Sequence, residues 1–552
     1  MTSLGRLRIA GGTLYDPANG VDGEVRDICI EDGRVVPDVP QGAPTLDARG
    51  MIVMPGGVDI HSHFASSSCN HARRLLPEEH SADPVRAPRL NDGTLARSGS
   101  GGTVPSTFTT GYRYAGLGYT TVFDAAVAPV MARHSHAELD DTPCVDGGFF
   151  ALMGNDEYLL RQIASGERER ARDYAAWLLG AAGAYAIKIV NPGGIEAWKS
   201  GQRNLNGLDD ALATNGVTPR AILETLTDAA NQLKLPHPVH IHCNNLGLPG
   251  NVAVTLASMQ ALAGRRAHFT HLQFHCYGGE PGKGWASAAA SVIDYVNRHP
   301  ELSVDVGQVM FGPAMTITAD APVEYLLHTT SGRRWTNIDI ELESGCGIVP
   351  LTYKEKAAVS SLQWVVGLEL FLLSQDPWRV VLSTDHPNGG SFLSYPALIQ
   401  LLMSRAVRDD ALKRLNPRFL AGSALADGLA REYTLNEIAI VTRAGPARLL
   451  GLRDKGHLGV GADADVTVYS RDPDIATMFS TPRYVVKAGR VVVEEGYLRR
   501  APAGRRLRLA PGFDDAVLRD LRKHFEAYST VSFDNYPVRD LPGEPMALGG
   551  KA

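Results

Sequence analysis

The sequence lacks the features that mark several large classes of protein. It has no apolar run near the roughly 20 residues that a membrane-spanning helix needs, and its first residues, MTSLGRLRIAGG, do not resemble a signal peptide. Its six cysteines are scattered over 552 residues, and no two are spaced as CxxC. We therefore expect a reduced, soluble, cytoplasmic protein that needs no disulfides and has no membrane partner.

A strong charge of either sign is also missing. Charged residues make up 21% of the chain, and the formal net charge is −6. So mild an imbalance argues against nucleic acid as a partner. Hydrophobic residues make up 44%, and a chain of this length buries a large core. The composition indicates an ordinary globular protein.

The pattern of apolar residues divides the chain into four regions. Residues 1–54 form short strands separated by turns such as Asp32–Gly33. Residues 55–434 alternate apolar strands with helical stretches, which predicts an α/β fold with a parallel sheet closed into a TIM (β/α)8 barrel. Residues 435–500 begin with a helix and return to a β pattern, so both chain ends are expected to build a small β-sandwich domain. Residues 501–552 form a C-terminal tail, either an interface or partly irregular, with one helix.

Seven strands of the barrel can be assigned from the sequence. They are GVDIHSHF, YTTVFDAA, AYAIKIVNP, PVHIHCNN, AHFTHLQFH, LSVDVGQV and RVVLSTDHP. Helices are predicted between several of them, including ERERARDYAAWLLGAAG and PRAILETLTDAANQLK. Barrels keep their active sites at the carboxyl ends of the strands, so polar residues at those ends are the candidate functional residues.

His61 and His63 stand at the end of the first barrel strand. Because side chains alternate along a strand, residues two apart point to one face and can reach one ion. An HxH pair alone is equally compatible with a structural role. Its place at the carboxyl end of a barrel strand favours metal binding.

Lys188 is the one cation in the apolar strand AYAIKIV. Lysine is rarely buried without a partner, so its amine either extends to the rim or pairs with a carboxylate. In the functional alternative, burial depresses its pKa and leaves a free amine. Such an amine can add CO2, and the resulting carbamate can bridge two metals.

Histidines end the next two strands in the same register, and an aspartate ends the last. His240 and His242 share one face of PVHIHCNN, and His271 and His275 follow in AHFTHLQFH. Imidazoles in an apolar core need hydrogen-bond partners, so packing alone explains them poorly. Asp385 follows an apolar strand, with a helix N-cap as its alternative role. Neutral imidazoles and a carboxylate suit Zn2+, and we expect one or two ions per chain.

These motifs resemble those of the amidohydrolase superfamily, in particular its dihydroorotase and hydantoinase branch, over residues 1 to about 500. In that family an HxH pair, a carboxylated lysine, two later histidines and a final aspartate bind the metal. The resemblance implies N6-carboxylation of Lys188 and favours His242 over His240. The implied metal ligands are His61, His63, Lys188, His242, His271 and Asp385.

Longer stretches of the sequence make the resemblance more specific. VDIHSHF, KIVNPGG, HIHCNNLG, FTHLQFHCYGG and STDHPNGG are similar to the amidohydrolase-type subunits of formylmethanofuran dehydrogenase and of the bacterial formyltransferase/hydrolase complex. This implies metal-dependent hydrolysis of a formylated furan-type C1 carrier (formyl-methylofuran) to formate and free amine, within a complex with other subunits. The Ala-, Arg- and Gly-rich composition favours the bacterial enzyme. The alternatives are condensation of formate with methanofuran, a stand-alone cyclic amidohydrolase and a non-catalytic barrel scaffold.

Catalytic roles follow from the same reasoning. Asp385 is expected to take a proton from water and pass it to the leaving amine. His275 and Asn244 are candidates to donate a hydrogen bond to the developing oxyanion. The alternative, given equal weight, is that they hold neighbouring site residues in place. Hydantoinase-like proteins have an acidic residue two positions after the third-strand histidine, where this chain has Asn244. The long segments 71–88 and 133–144 are predicted to contact partner subunits.

Overall fold

A computed structural model describes most of the chain from residue 5 to residue 548. The residues within that span that it leaves out are 83, 86–89, 91–96, 98, 203–204, 206, 281–282, 319, 321–322, 324, 326, 330–331, 333–335 and 341–343. None of the helices among the described residues is both long and apolar enough to cross a lipid bilayer.

The larger part of the structure is a barrel of eight parallel strands. In order they are Gly57–Ser62, Tyr119–Val127, Asp146–Leu152, Ala186–Val190, Val239–His242, Ala267–Phe269, Leu302–Asp305 and Val380–Val381. A bridge between Ser62 and His386, with the His63 amide donating to the His386 carbonyl at 2.7 Å, joins the eighth strand region to the first. The predicted TIM barrel is confirmed.

The third strand, Asp146–Leu152, is missing from the seven predicted strands. Its first glycines, Gly147 and Gly148, are typical of a turn. In the structure they allow the C-terminal segment to pass close by: a Cβ at Gly148 would lie 2.3 Å from the Leu507 carbonyl oxygen. The Leu507 amide donates to the Gly147 carbonyl at 2.9 Å. Part of the predicted tail therefore packs against the barrel.

Helices connect the strands and lie around the barrel. The longer ones are Thr107–Gly116, Ala132–Asp140, Glu157–Ala164, Arg168–Ala182, Pro219–Gln232, Val252–Ala261, Ala289–Arg298, Ala358–Leu373, Tyr395–Met403, Arg405–Leu412 and Ala516–Tyr528. The shorter ones are Ser67–Arg74, Pro77–Ala82, Gly194–Lys199, Leu435–Ala439, Gly445–Leu450 and Ile475–Ser480. The segments 71–88 and 133–144 are thus largely helical rather than open loops, although 83 and 86–88 lie outside the described residues.

Both chain ends build a β domain beside the barrel, as predicted, and its nine strands are joined into one sheet. Its strands are Arg6–Asp16, Val21–Glu31, Arg34–Val36, Thr45–Asp47, Ile52–Pro55, Val466–Tyr469, Tyr484–Lys487, Arg490–Glu494 and Tyr497–Leu498. The two halves join where Ile52–Pro55 pairs antiparallel with Val466–Tyr469. Asp32 and Gly33 both have positive φ, 49° and 82°, so they form the expected tight hairpin turn.

A small antiparallel sheet is inserted between the seventh and eighth barrel strands. It consists of Gly312–Thr318, Thr336–Ile340 and Ser344–Tyr353, with the last strand in the middle. The predicted alternation of strand and helix did not indicate this sheet. Thr316 and Tyr353 of the sheet line a cavity at the carboxyl end of the barrel, so the insertion forms part of the candidate site.

A buried cluster of opposite charges ties the barrel to the β domain and the C-terminal segment. The Asp146 carboxylate lies 2.6 Å from Lys455 Nζ, 2.8 Å from Lys487 Nζ and 3.0 Å from Arg505 Nη2. Burial opposes its ionisation, but these cations hold the pKa of Asp146 well below its usual value. The carboxylate is therefore charged at neutral pH and balances the cations around it.

Replacing Asp146 with alanine should lower the free energy of unfolding by about 3–5 kcal/mol, because the buried cations lose a counter-charge. Urea-induced unfolding measures the change. Asp534→Ala is the matched control, since Asp534 pairs with Arg522 at 3.0 Å and both side chains are exposed, 69% and 49%. Loss of such a surface pair should cost less than about 1 kcal/mol. Equal losses in the two variants would contradict a structural role for the cluster.

Candidate metal centre

A cavity of about 540 Å3 opens at the carboxyl ends of the barrel strands. Apolar side chains form most of its wall, among them Val127, Leu152, Phe274, Trp285 and Leu351. Its polar lining includes His63, Lys188, His242, His271 and Asp385. A mostly apolar cleft with a few convergent polar groups is the usual form of a small-molecule site. The cavity therefore brings together five of the six predicted metal ligands.

The sixth predicted ligand, His61, belongs to the first of two groups of polar side chains, together with His63 and Asp385. Asp385 Oδ1 is 2.9 Å from His61 Nε2 and 3.1 Å from His63 Nε2. Strand alternation puts both histidines on one face, and barrel closure brings the eighth strand next to the first. Asn388 Nδ2 donates to the same Asp385 oxygen at 2.9 Å. These contacts fix the carboxylate between the two imidazoles.

A second group consists of His242, His271 and His275. The His271 ring centroid lies 4.5 Å from that of His242 and 5.2 Å from that of His275. One ring nitrogen from each of the three lies within 4.8 Å of the others. His271 has a left-handed backbone, with φ of 34°, and a strained residue of this kind persists only where its surroundings hold it.

Lys188 lies in the strand next to His242, and its side chain is buried. Its Nζ has no hydrogen-bond partner among the residues that the structure describes. Burial lowers the pKa of this amine to about 7, so much of it is uncharged at neutral and mildly alkaline pH. The functional alternative for Lys188, a free amine facing the cavity, is the one that the geometry favours.

The structure places His240 and His242 in different surroundings. His242 lines the cavity, and its Nε2 has no hydrogen-bond partner among the described residues. His240 does not line it; its Nε2 is 2.9 Å from His61 Nδ1 and its Nδ1 is 3.0 Å from His237 Nε2. Both nitrogens of His240 are therefore engaged inside the barrel, which leaves His242 as the better candidate ligand.

Neither predicted oxyanion donor lines the cavity. Asn244 Nδ2 donates to Asn191 Oδ1 at 2.9 Å and to the Pro192 carbonyl at 3.0 Å, so its amide holds the turn after the fourth strand. His275 is fully buried beside the other histidines of its group. For Asn244 the geometry favours the supporting role that was the alternative, and His275 is not placed at the cavity wall as an oxyanion donor would be.

The sequence-based reasoning overlooked Asp305, at the end of the seventh strand. Its Oδ2 lies 3.3 Å from His61 Nδ1 and 3.1 Å from His268 Nε2. Its Oδ1 accepts from the His271 amide at 2.9 Å and from Ser383 Oγ at 2.6 Å. One buried carboxylate thus holds two of the candidate ligands. A lone acid within the apolar string LSVDVGQV was the signal that could have revealed it.

Asp124, near the carboxyl end of the second strand, was also overlooked. Its Oδ2 accepts from the amides of Phe64, Ala65 and Ser66 at 2.7–3.0 Å. Its other oxygen lies 4.0 Å from His63 Nδ1. The aspartate therefore fixes the turn that follows the HxH pair. The string YTTVFDAA, with a single acid at a strand end, carried the signal.

A third overlooked carboxylate comes from the insertion. Asp320 Oδ2 is 3.8 Å from His242 Nε2, and burial raises the pKa of Asp320 to about 7. No strand–helix pattern pointed to this residue, because it follows the inserted strand Gly312–Thr318.

The donor set fits a borderline divalent ion. Burial, and then the charge of nearby groups such as Lys188, hold the pKa values of His242, His271 and His275 well below the usual value. The imidazoles are therefore neutral, which is the form that binds metals. Asp385 remains anionic, because its histidine neighbours outweigh burial and lower its pKa. Neutral nitrogens with one carboxylate match zinc better than calcium or magnesium.

Comparison with known proteins identifies the family of the chain. A family model described as "Amidohydrolase family" matches residues 45–493. A protein named FwdA from Methanocaldococcus jannaschii is 41% identical over 554 residues, covering 96% of each chain. A protein named as a subunit of the formyltransferase/hydrolase complex Fhc from Methylorubrum extorquens is 39% identical over 546 residues, covering 97% of this chain and 96% of that protein.

Solved structures extend the comparison to three dimensions. The formyltransferase/hydrolase complex FhcABCD from Methylorubrum extorquens, solved with methylofuran, contains a chain that superposes with a TM-score of 0.91. That chain is 37% identical, and the match covers 99% of this chain and 100% of that one. N-acyl-D-glutamate deacylase from Bordetella bronchiseptica matches with a TM-score of 0.51 at 17% identity, which shows a shared fold alone.

Proposed function

Because the chain belongs to the amidohydrolase family, we propose that it hydrolyses the formyl amide of a formylated methanofuran-type carrier, formyl-methylofuran, to formate and free amine. The observation that carries the proposal is the cavity that gathers His63, Lys188, His242, His271 and Asp385 beneath an apolar wall. The near full-length relative named as part of the Fhc complex, and the similar chain solved with methylofuran, support this choice of substrate. Partner subunits of such a complex belong to the same proposal.

Zinc is the proposed metal. His61, His63 and Asp385 would hold one ion, and His242 with His271 would hold a second. Lys188, as an N6-carboxylated side chain, would reach both. When bound, such an ion supplies Lewis-acid chemistry, polarising a carbonyl oxygen and lowering the pKa of water from about 15.7 toward 7.

Asp385 is the proposed proton carrier. It lines the cavity, and its neighbours keep it ionised, so it can accept a proton from the attacking water. The same carboxyl group can then give that proton to the departing amine, which leaves poorly as an anion. Asn388 donates to one oxygen of this carboxylate through its side-chain amide and so helps to fix the orientation of the carboxyl group.

The apolar wall is suited to the carrier rather than to a small polar ring alone. Phe274, Trp285 and Tyr353 line it, and flat apolar side chains can pack against a furan ring while excluding water. The amide of the carrier can then reach the polar side chains at the strand ends.

The test is to purify the full chain with any subunits that accompany it, measure its metals, and assay formate release from a formylated furan carrier. Zinc with formate release is the expected result. Hydrolysis of hydantoin or dihydroorotate instead would identify a stand-alone cyclic amidohydrolase. Net consumption of formate with the free carrier would favour condensation. A chain that binds no metal would be a scaffold.

Asp305→Asn should weaken zinc binding by about 10–100-fold, the usual effect of losing an outer hydrogen-bond partner of metal ligands. An amide cannot accept from His61, His268, Ser383 and the His271 amide together. Competition with a zinc chelator measures the affinity. Asp228→Asn is the control, because its carboxylate pairs with Arg265 at 2.7 Å and does not line the cavity. Unchanged affinity in the Asp305 variant would show that the carboxylate does not position the ligands.

A further inference from the structure

We infer that His275 is a metal ligand, completing with His242 and His271 a position held by three histidines. The inference rests on the proposed metal chemistry of the site and deepens it. It replaces the oxyanion role that the sequence suggested for His275 with a coordinating one.

The first observation is that the His275 ring is fully buried and has no partner. Neither Nδ1 nor Nε2 makes a hydrogen bond to any of the residues that the structure describes. Leaving a buried polar group unsatisfied is destabilising, so such groups require an explanation. His240 and His136 are buried histidines that do have partners: His237 and His61 for the first, the Ala182 carbonyl for the second.

The second observation is that ring nitrogens of the three histidines converge. One ring nitrogen each from His242, His271 and His275 lies within 4.8 Å of the others. Zinc binds imidazole nitrogen at about 2.0–2.1 Å, so nitrogens on one ion lie within about 4 Å of each other. The set within 4.8 Å is therefore wider than a bound ion requires by less than about 1 Å.

The third observation is that the backbone is built to present His275. A 3-10 turn, Leu272–His275, follows His271 and brings the next imidazole back beside it. Thr255 Oγ1 donates to the His275 carbonyl at 2.9 Å, and Asn251 Nδ2 donates to the Phe274 carbonyl at 2.7 Å. These bonds hold the turn from the adjacent helix, so the ring position does not depend on a loose loop.

The two metal positions then differ in charge. His61, His63 and Asp385 supply one negative charge, whereas three neutral imidazoles supply none. The three-histidine position therefore depends on Lys188, once carboxylated, for its anionic donor. This difference predicts that removing His275 affects one position and spares the other.

Cobalt substitution of a His275→Cys variant tests the inference directly. A thiolate bound to Co2+ gives a sulfur-to-cobalt charge-transfer band in the near ultraviolet, whereas a thiol that only fills space gives none. The full-length variant, stripped with a chelator and reloaded with Co2+, should show a new band absent from the wild type. His136→Cys is the matched control, because His136 is buried away from the cavity. A His275→Cys spectrum identical to that of the wild type would overturn the assignment.

Zinc content of His275→Ala gives a second readout that does not use activity. The variant should lose one of two bound zinc ions and keep the other, while His136→Ala keeps both; circular dichroism verifies folding. Full zinc content in folded His275→Ala would overturn the inference and leave the proposed function intact. Absence of zinc from the wild type would instead remove the proposed function, and this inference with it.

Discussion

Replacement of Asp385 with asparagine should lower the rate of formate release by about 10²–10⁴-fold, the usual contribution of a positioned acid–base group. Asparagine has nearly the same shape but cannot carry a proton between water and the leaving amine. The histidines and Lys188 remain, so we expect the loss mainly in kcat. Steady-state assays of formate release, with zinc measured on the same samples, make the test.

Asp209→Asn is the control for this substitution, because Asp209 is exposed and its carboxylate pairs with Arg220, away from the cavity lining. It should keep normal turnover. Near-normal turnover of Asp385→Asn with zinc bound would show that another group moves the proton. Loss of zinc from the variant would instead show that Asp385 acts chiefly as a ligand.

Lys188→Ala is expected to have the second large effect. If Lys188 reaches both metal positions as a carbamate, Lys188→Ala should lose zinc. Its zinc affinity should fall by more than the roughly 10–100-fold that is typical when an outer hydrogen-bond partner of a metal ligand is removed. Carboxylation needs the neutral amine, and burial lowers the pKa of Lys188 to about 7. Reloading of the metal-free wild type with zinc and bicarbonate should therefore improve as the pH rises through about 7 and fail well below it.

Two measurements separate the carbamate from a plain lysine. A small carboxylate such as acetate should restore part of the zinc binding and activity of Lys188→Ala, because it supplies the missing oxygens. Lys199→Ala is the control, since Lys199 lies outside the cavity lining. Reloading of the wild type that is independent of bicarbonate, with no rescue of the variant, would contradict carboxylation.

Much of the fold was predictable because it depends on local patterns. Seven barrel strands follow from apolar runs, and the hairpin at Asp32–Gly33 follows from residues that tolerate positive φ. The third strand escaped prediction because Gly147 and Gly148 resemble a turn. Glycine is needed at these positions because the C-terminal segment, about 360 residues further along the chain, packs against them. The inserted sheet escaped for a similar reason, since it interrupts the alternation of strand and helix.

The candidate site was predictable to the extent that it follows strand ends. His61, His63, His242, His271 and Asp385 stand at or soon after the end of an apolar strand, and Lys188 is the one cation within such a strand. Asp305 and Asp124 stand at such ends too, but a single aspartate has many structural roles. Their hydrogen bonds to the turns that carry the histidines become visible only when neighbouring strands are in place.

The barrel, the β domain from both chain ends and the chemical types of the site residues could all be read from the amino-acid order, because alternation and apolar runs are encoded locally. Which of these residues face the cavity was settled by the folded chain. Folding separated His242 from His240, turned Asn244 toward the backbone, and placed His275 beside two other histidines. The physical reason is that a ring nitrogen can bind a metal only if no other residue already makes a hydrogen bond to it. In a closed barrel those other residues come from strands that are distant in the sequence.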